Sequence, residues 1–254
     1  MSVPLVLMYH GFGTRPASED PHNLFVPEAA FDQQLRALLG RGFRPLDGPS
    51  FLAGLRSGRW PARSFLVTID DGYVSTLEVA APVLGRLDVP AVLFALPGML
   101  GATSSWMPEM PHERLLDAEG LARLPGMGVS IGLHGWDHRS MAALATAELH
   151  RQTTVARAAL AEVTGEEAAL FAYPFGSHDA AARKAVADAG MSAAFAIYDS
   201  TGPFALPRVD INALDTPRTF ALKTSGWYPR LKSVLDRAPA LRRLGHSLAG
   251  KARR

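Results

Sequence analysis

Apolar and β-branched residues recur along this chain in short runs, and between the runs the apolar positions fall three and four residues apart. The runs at 4–9, 64–69, 89–96, 129–133, 168–173 and 192–198 predict buried strands, with shorter ones at 43–46 and 206–211. The spaced segments predict helices. One opens at Pro27-Glu28, carries Phe31, Leu35, Leu38 and Leu39 on one face and stops at Gly40 and Gly42. Others follow at 50–55, at 74–87 with Pro82 bending or breaking it, and at 118–124, 140–163 and 178–189. Residues 14–26 are polar and turn-rich, a loop over the mouth of the fold. Residues 97–116 form a long insertion rich in Met, Pro and Gly, of the kind that shapes a groove at a catalytic face. Strands alternating with helices predict an α/β fold whose sheet of about seven parallel strands is covered on both faces. At 254 residues and 48% hydrophobic, one sizeable domain is the simplest organisation.

Two of the runs end in chemistry. The stretch from Ser64 leaves its strand at Asp70-Asp71-Gly72-Tyr73, where parallel α/β folds gather catalytic groups. Neighbours on a strand point to opposite faces, so the two carboxylates divide the work unless the chain bends. One can ligate a metal while the other handles a proton. The run 129–133 ends in His134-Gly135-Trp136-Asp137-His138, whose two imidazoles can converge on one cation from a helical turn or a tight loop. Two His and one carboxylate make an open divalent site with room for water. A third run ends in Tyr173-Pro174-Phe175-Gly176. The chain has no cysteine, which excludes disulfides and thiolate metal sites.

The stretches Thr-Ile-Asp-Asp-Gly (68–72), His-Gly-Trp-Asp-His (134–138) and Tyr-Pro-Phe-Gly (173–176), in that order, resemble the polysaccharide deacetylases. These are the NodB-homology family, or carbohydrate esterase family 4, with motifs close to T-F-D-D-G, H-S/T-x-x-H and R-x-P-Y-G. The resemblance spans about residues 3–212. It implies a distorted, incomplete (β/α) barrel and removal of an N-acetyl group from an N-acetylated sugar of a saccharide or glycan-assembly intermediate. It also implies the roles. Asp71, His134 and His138 hold the metal, Zn²⁺ first, with Co²⁺, Ni²⁺ or Fe²⁺ compatible with the same ligands. Asp70 is the general base, and the Phe175 backbone N–H helps hold the oxyanion.

Two departures from the common pattern matter. The general-acid His of most members comes late, but here only His246 follows residue 206, inside a basic segment. A subset of bacterial exopolysaccharide deacetylases resembles a circular permutation with an early Tyr-His. Tyr9-His10 matches that subset, which makes His10 the acid. The Arg that pairs with the base falls at Ala172, and Arg208 is the candidate to supply that charge from another strand. Asp210 is a candidate to orient a neighbour. Tyr73, Trp106, Trp136 and Tyr173 are candidate sugar contacts, and His22, His112, His150 and His178 have no partner legible in the sequence.

Charge divides the chain into a catalytic domain, 1–225, and a basic tail, 226–254. The tail carries eight Lys/Arg against one Asp, while the remaining residues are net −5. Trp227, Tyr228 and spaced leucines among the tail cations suit an anionic membrane surface, so a peripheral membrane contact is expected, and with no export signal the expected substrate is an intracellular glycan-assembly intermediate, lipid-linked in one form. The acidic body argues against nucleic acid. Residues 1–9 show no secretory leader and no run reaches membrane-span length, so a cytoplasmic location is expected. Two other readings keep the same residues: a deformylase of a lipid-linked aminosugar, and a weakly catalytic glycan-binding or membrane-docked module.

Overall fold

The computed structural model describes residues 4–198, 201–225 and 228. Its described strands are β1 (Leu5–Tyr9), β2 (Gly11–Phe12), β3 (Phe25–Val26), β4 (Arg44–Pro45), β5 (Ser64–Ile69), β6 (Ala91–Ala95), β7 (Val129–Leu133), β8 (Leu170–Ala172), β9 (Ala193–Phe195) and β10 (Val209–Asp210). Seven lie in the order β10-β1-β5-β6-β7-β8-β9, and β4 pairs with the start of β5. Every pairing among these is parallel. The sheet curls until one segment touches both edges. Leu206 bridges Phe195 of β9, and three residues later Val209 pairs with Leu7 of β1. The expected distorted barrel of about seven parallel strands is the architecture found.

Burial explains why the runs are continuous and not alternating. All six residues of β5 and all five of β6 are buried, because side chains on one face meet helices and those on the other fill the barrel. Leu7, Phe65, Val67 and Ile69 face outward into the larger core cluster, with Phe31, Leu35 and Leu38 of α1 (Glu28–Gly40). Val6, Leu66, Val92, Phe94, Leu170 and Phe195 face inward. Phe51 and Leu52 of α2 (Gly48–Ser57) join this inner cluster and plug the N-terminal end of the barrel. Thr68 and Asp70 have the same parity as Leu66, so β5 aims Asp70 into the barrel.

Several boundaries differ from expectation. The loop 14–26 ends in β3, which pairs with β2. Pro82 neither breaks nor sharply stops its helix. A π-helical turn at Thr76–Ala80 precedes α3 (Ala81–Leu87), a wider turn where proline offers no N–H. After α4 (Ala118–Arg123), the helix expected from residue 140 begins only at Thr146, as α5 (Thr146–His150). The reason is a contact distant in sequence: Ala143 sits at φ 60 and its N–H donates to Asp179. Asp179 also caps α7 (Ala180–Asp188) through the Ala182 N–H. A second π-helical turn, Arg151–Val155, joins α5 to α6 (Ala156–Thr164). The described chain closes with α8 (Pro217–Lys223). Among the described residues no helix is long and apolar enough to cross a membrane. The membrane contact expected of the segment 226–254, and His246, lie outside the described residues except for Tyr228.

Gly132 shows how tightly the barrel interior is filled. A Cβ there would lie 2.6 Å from the Phe94 ring and 3.0 Å from the Leu170 carbonyl oxygen. Gly132→Ala is expected to cost about 2 kcal/mol through overpacking. Urea unfolding would show this as a lower midpoint with an unchanged slope.

Candidate active site

The C-terminal ends of β1, β5, β7 and β8 surround a cavity of about 460 Å³. A larger one of about 590 Å³ lies at the opposite end of the barrel, beside Pro90, Gly128 and Ser192 at strand N-termini. Only the smaller cavity holds the candidate chemistry: Asp70, Asp71, His10, His134, His138, Phe175 and Arg208 all border it.

The bend that would let both aspartates serve one site is present. Asp70 N–H still donates to the Tyr9 carbonyl, continuing the β1–β5 ladder. Asp71 and Gly72 then adopt φ 76 and 80, turning the chain back on itself. Glycine adopts this conformation freely, whereas Asp71 is held there against its preference. His138 and Phe175 are likewise left-handed, at φ 63 and 57. Such strain persists only where the surroundings impose it, and it commonly marks functional sites.

The two carboxylates meet different partners. Asp70 receives both arms of Arg208, at 2.6 and 2.8 Å. Arg208 is itself only 1% exposed. Its Nε donates to the Ala196 carbonyl, one terminal nitrogen also donates to Thr68 Oγ1, and the guanidinium lies near the Phe94 and Phe195 rings inside the barrel. Burial pushes the Asp70 carboxyl up, but Arg208 and His134 pull it further down, below the usual carboxylate range. Asp70 is therefore ionised at neutral pH. Arg208 supplies the charge that Ala172 lacks.

Asp71 faces the imidazoles. Its Oδ1 lies 3.4 Å from His134 Nε2 and 3.1 Å from His138 Nε2, and forms no hydrogen bond among the described residues. His134 Nδ1 lies 2.8 Å from the Ala172 carbonyl, which can only accept, so Nδ1 carries a proton and Nε2 is the nitrogen that faces the carboxylate. Ligand atoms of Asp71, His134 and His138 all lie within 4.8 Å of one another. One buried carboxylate and two imidazole nitrogens that converge in this way are a donor set that fits a divalent metal ion. Burial raises the Asp71 carboxyl, but the neighbouring histidines hold it well below its usual range, while burial lowers His138. An anionic carboxylate and neutral imidazoles are the forms a metal takes.

Aromatic rings enclose His138. Trp106 stacks on it at 4.3 Å between centroids and 16° between planes, and Phe175 meets it edge-on at 4.5 Å. The Phe175 ring is 53% exposed at the cavity mouth. His10 follows β1, and its buried Nδ1 has no hydrogen-bond partner among the described residues.

A family model described as polysaccharide deacetylase matches residues 57–194, more than half of the chain. The chain belongs to the polysaccharide deacetylase family. A relative from Bacillus subtilis (strain 168), YxkH, whose name places it among polysaccharide deacetylases, is 23% identical over 73% of this chain and 61% of its own length. Among solved structures, Streptococcus pyogenes deacetylase PplD in complex with acetate superposes with a TM-score of 0.78. It shares 20% identity over 89% of this chain and 99% of that one. IcaB from Ammonifex degensii gives 0.73, with 21% identity over 91% and 98%. At these identities the structures establish a shared deacetylase fold.

Two expected sugar contacts, Tyr73 and Trp136, are corrected. Tyr73 is 1% exposed and packs among Phe25, Met110 and Leu115, so its ring cannot meet a saccharide. Tyr173 does border the cavity, but it is fully buried, packed against Phe171 and His178 with its hydroxyl donating to the Phe204 carbonyl. Trp136 does not border the cavity. Its indole lies on Gly98, where a Cβ would come within 2.2 Å, and Arg151 stands over its face. Trp106 does border the cavity. Asp210 accepts from the Tyr198 hydroxyl and also borders the cavity. His22, without a legible partner in sequence, pairs with Glu109 at 2.7 Å across the two loops of the mouth. His178 lies 3.1 Å from an Arg183 nitrogen. The sequence reading also missed Gln152, a polar residue on the buried stripe of Leu149, Ala156 and Leu160. Its spacing within that stripe was the available signal.

Proposed function

We propose that this chain is a metal-dependent hydrolase that removes the N-acetyl group from an N-acetylated sugar of a saccharide or glycan-assembly intermediate. The observation that carries the reading is the division of labour between adjacent carboxylates, Asp71 facing two imidazoles and Asp70 locked on Arg208. Asp71, His134 and His138 hold the metal. When bound, the divalent ion acidifies water and polarises the amide carbonyl. Asp70, ionised and oriented by Arg208, accepts the proton of the attacking water. The Phe175 N–H donates to the oxygen that gains charge. His10 gives a proton to the nitrogen as the C–N bond breaks, so acetate and a free amine leave. Trp106 and Phe175 present apolar surface to the sugar at the cavity mouth. Zn²⁺ is the proposed ion, with Co²⁺, Ni²⁺ and Fe²⁺ as alternatives the ligands accept.

The test is mass spectrometry of saccharides and lipid-linked sugars from host cells, before and after incubation with metal-loaded protein, with Asp70→Asn as control. The expected result is loss of an acetyl mass from a defined species with wild type. A slowdown of about 10²- to 10⁴-fold is expected in the variant. Loss of a formyl mass would replace the acyl group in this reading. No mass change with metal demonstrably bound would contradict it.

A further inference from the structure

One buried side chain outside the loop that carries both histidines hydrogen-bonds to it, beside the exposed Arg151 that meets Asp137 at 3.5 Å and stands over Trp136. Gln152 is fully buried on the π-helical turn between α5 and α6. Its Oε1 accepts the Trp136 N–H at 2.7 Å. Its Nε2 donates to Asp137 Oδ1 at 2.6 Å and to Glu148 Oε1 at 2.8 Å. Trp136 and Asp137 lie between His134 and His138 in sequence. The amide also lies against Gly135, at φ 86, where a Cβ would come 2.8 Å from Gln152 Oε1. Only an amide can accept from a backbone N–H while donating to two carboxylates, so this environment fixes both the residue type and the orientation of its oxygen.

The loop needs such support. His138 sits in a left-handed conformation, and its Nδ1 is buried with no hydrogen-bond partner among the described residues. His134 has the Ala172 carbonyl to orient its ring from behind, whereas the His138 ring, whose Nε2 meets Asp71 at 3.1 Å, has only ring contacts on its other sides among the described residues. With no partner at Nδ1, the direction of its Nε2 depends on the backbone that Gln152 helps to fix. We infer that Gln152 is a positioning residue for the metal centre, setting metal affinity by holding the 134–138 loop in its ligating shape. This rests on the metal reading above.

The test measures zinc affinity by competition with a chromophoric chelator, and records the visible spectrum of the cobalt-loaded protein. Gln152→Met keeps size and helix preference but removes all three hydrogen bonds. It is expected to weaken zinc binding about 10- to 100-fold, as loss of an outer-shell partner does, and to shift the cobalt bands. Leu160→Ala, a buried truncation on the next helix, is the stability control. It lowers the melting temperature but leaves zinc affinity within about twofold and the cobalt bands in place. Gln152→Glu covers the case in which the Met variant fails to fold. It keeps the acceptor for Trp136 but turns a carboxylate toward Asp137 and Glu148, and it also weakens zinc binding. A folded variant of either kind with zinc affinity within about twofold of wild type overturns the inference. Wild type that takes up no zinc overturns the metal reading itself, and the inference with it.

Discussion

Arg208→Met is expected to destabilise the protein by about 3–5 kcal/mol at neutral pH, because it leaves the Asp70 charge buried without its partner. Activity falls with it, since a misoriented base loses most of the roughly 10²- to 10⁴-fold that proton transfer contributes. The pH dependence of the deficit is a sharper signature than its size. In wild type the folded Asp70 carboxyl lies below its unfolded value. Its contribution to stability is therefore complete above the ordinary carboxylate range and lost as pH falls through the folded value. In the variant, burial acts without Arg208 and favours the protonated form. The difference in stability between the two proteins should be largest near pH 7 and shrink toward about pH 4. Urea melts across that range provide the measurement, and a deficit independent of pH would mean that Arg208 stabilises by packing against Phe94 and Phe195 alone. The double variant Asp70→Asn/Arg208→Met should regain much of the stability and none of the activity, because no charge is left unpaired.

Asp71→Asn is expected to cost little in the metal-free protein and much in the metal-loaded one. Without metal, the neighbouring histidines hold the Asp71 carboxylate ionised, and the amide gives up that attraction while sparing the burial of a charge. Asparagine also tolerates the positive φ found there. The metal-free variant should lie within about 2 kcal/mol of metal-free wild type. With zinc present the gap widens, since metal binding stabilises only the protein that retains its ligands. Zinc affinity should fall by about 10²- to 10³-fold, a ligand's share of a binding free energy on the order of 10 kcal/mol. Thermal melts of both proteins with chelator and with added zinc check both differences together.

The sequence showed the strands because they are buried on both faces and so read as continuous apolar runs. Asp70, Asp71, His134 and His138 were legible because strand ends place them within a few residues of the runs. Arg208 was harder. It lies 138 residues from Asp70, and only the segment that touches both edges of the barrel brings the two together. Two aromatic candidates failed for a related reason. Whether a ring next to a catalytic motif faces the substrate or the core depends on what packs against it. Tyr73 meets the 97–116 insertion, and Trp136 meets Gly98. Neither of those contacts has a local signature. The late start of the helix after residue 140 has the same origin, since Asp179 takes the Ala143 N–H from 36 residues away.

Cleavage of the acetamide is expected to require one metal ion, held by Asp71, His134 and His138. The most direct test strips the protein with chelator, titrates Zn²⁺ back, and follows acetate release from an N-acetylated saccharide at each addition. Stripped protein should release none, and release should then rise and break at about one equivalent per chain for wild type and be absent for Asp71→Asn. Full turnover by stripped protein, or by Asp71→Asn without bound metal, would contradict that requirement.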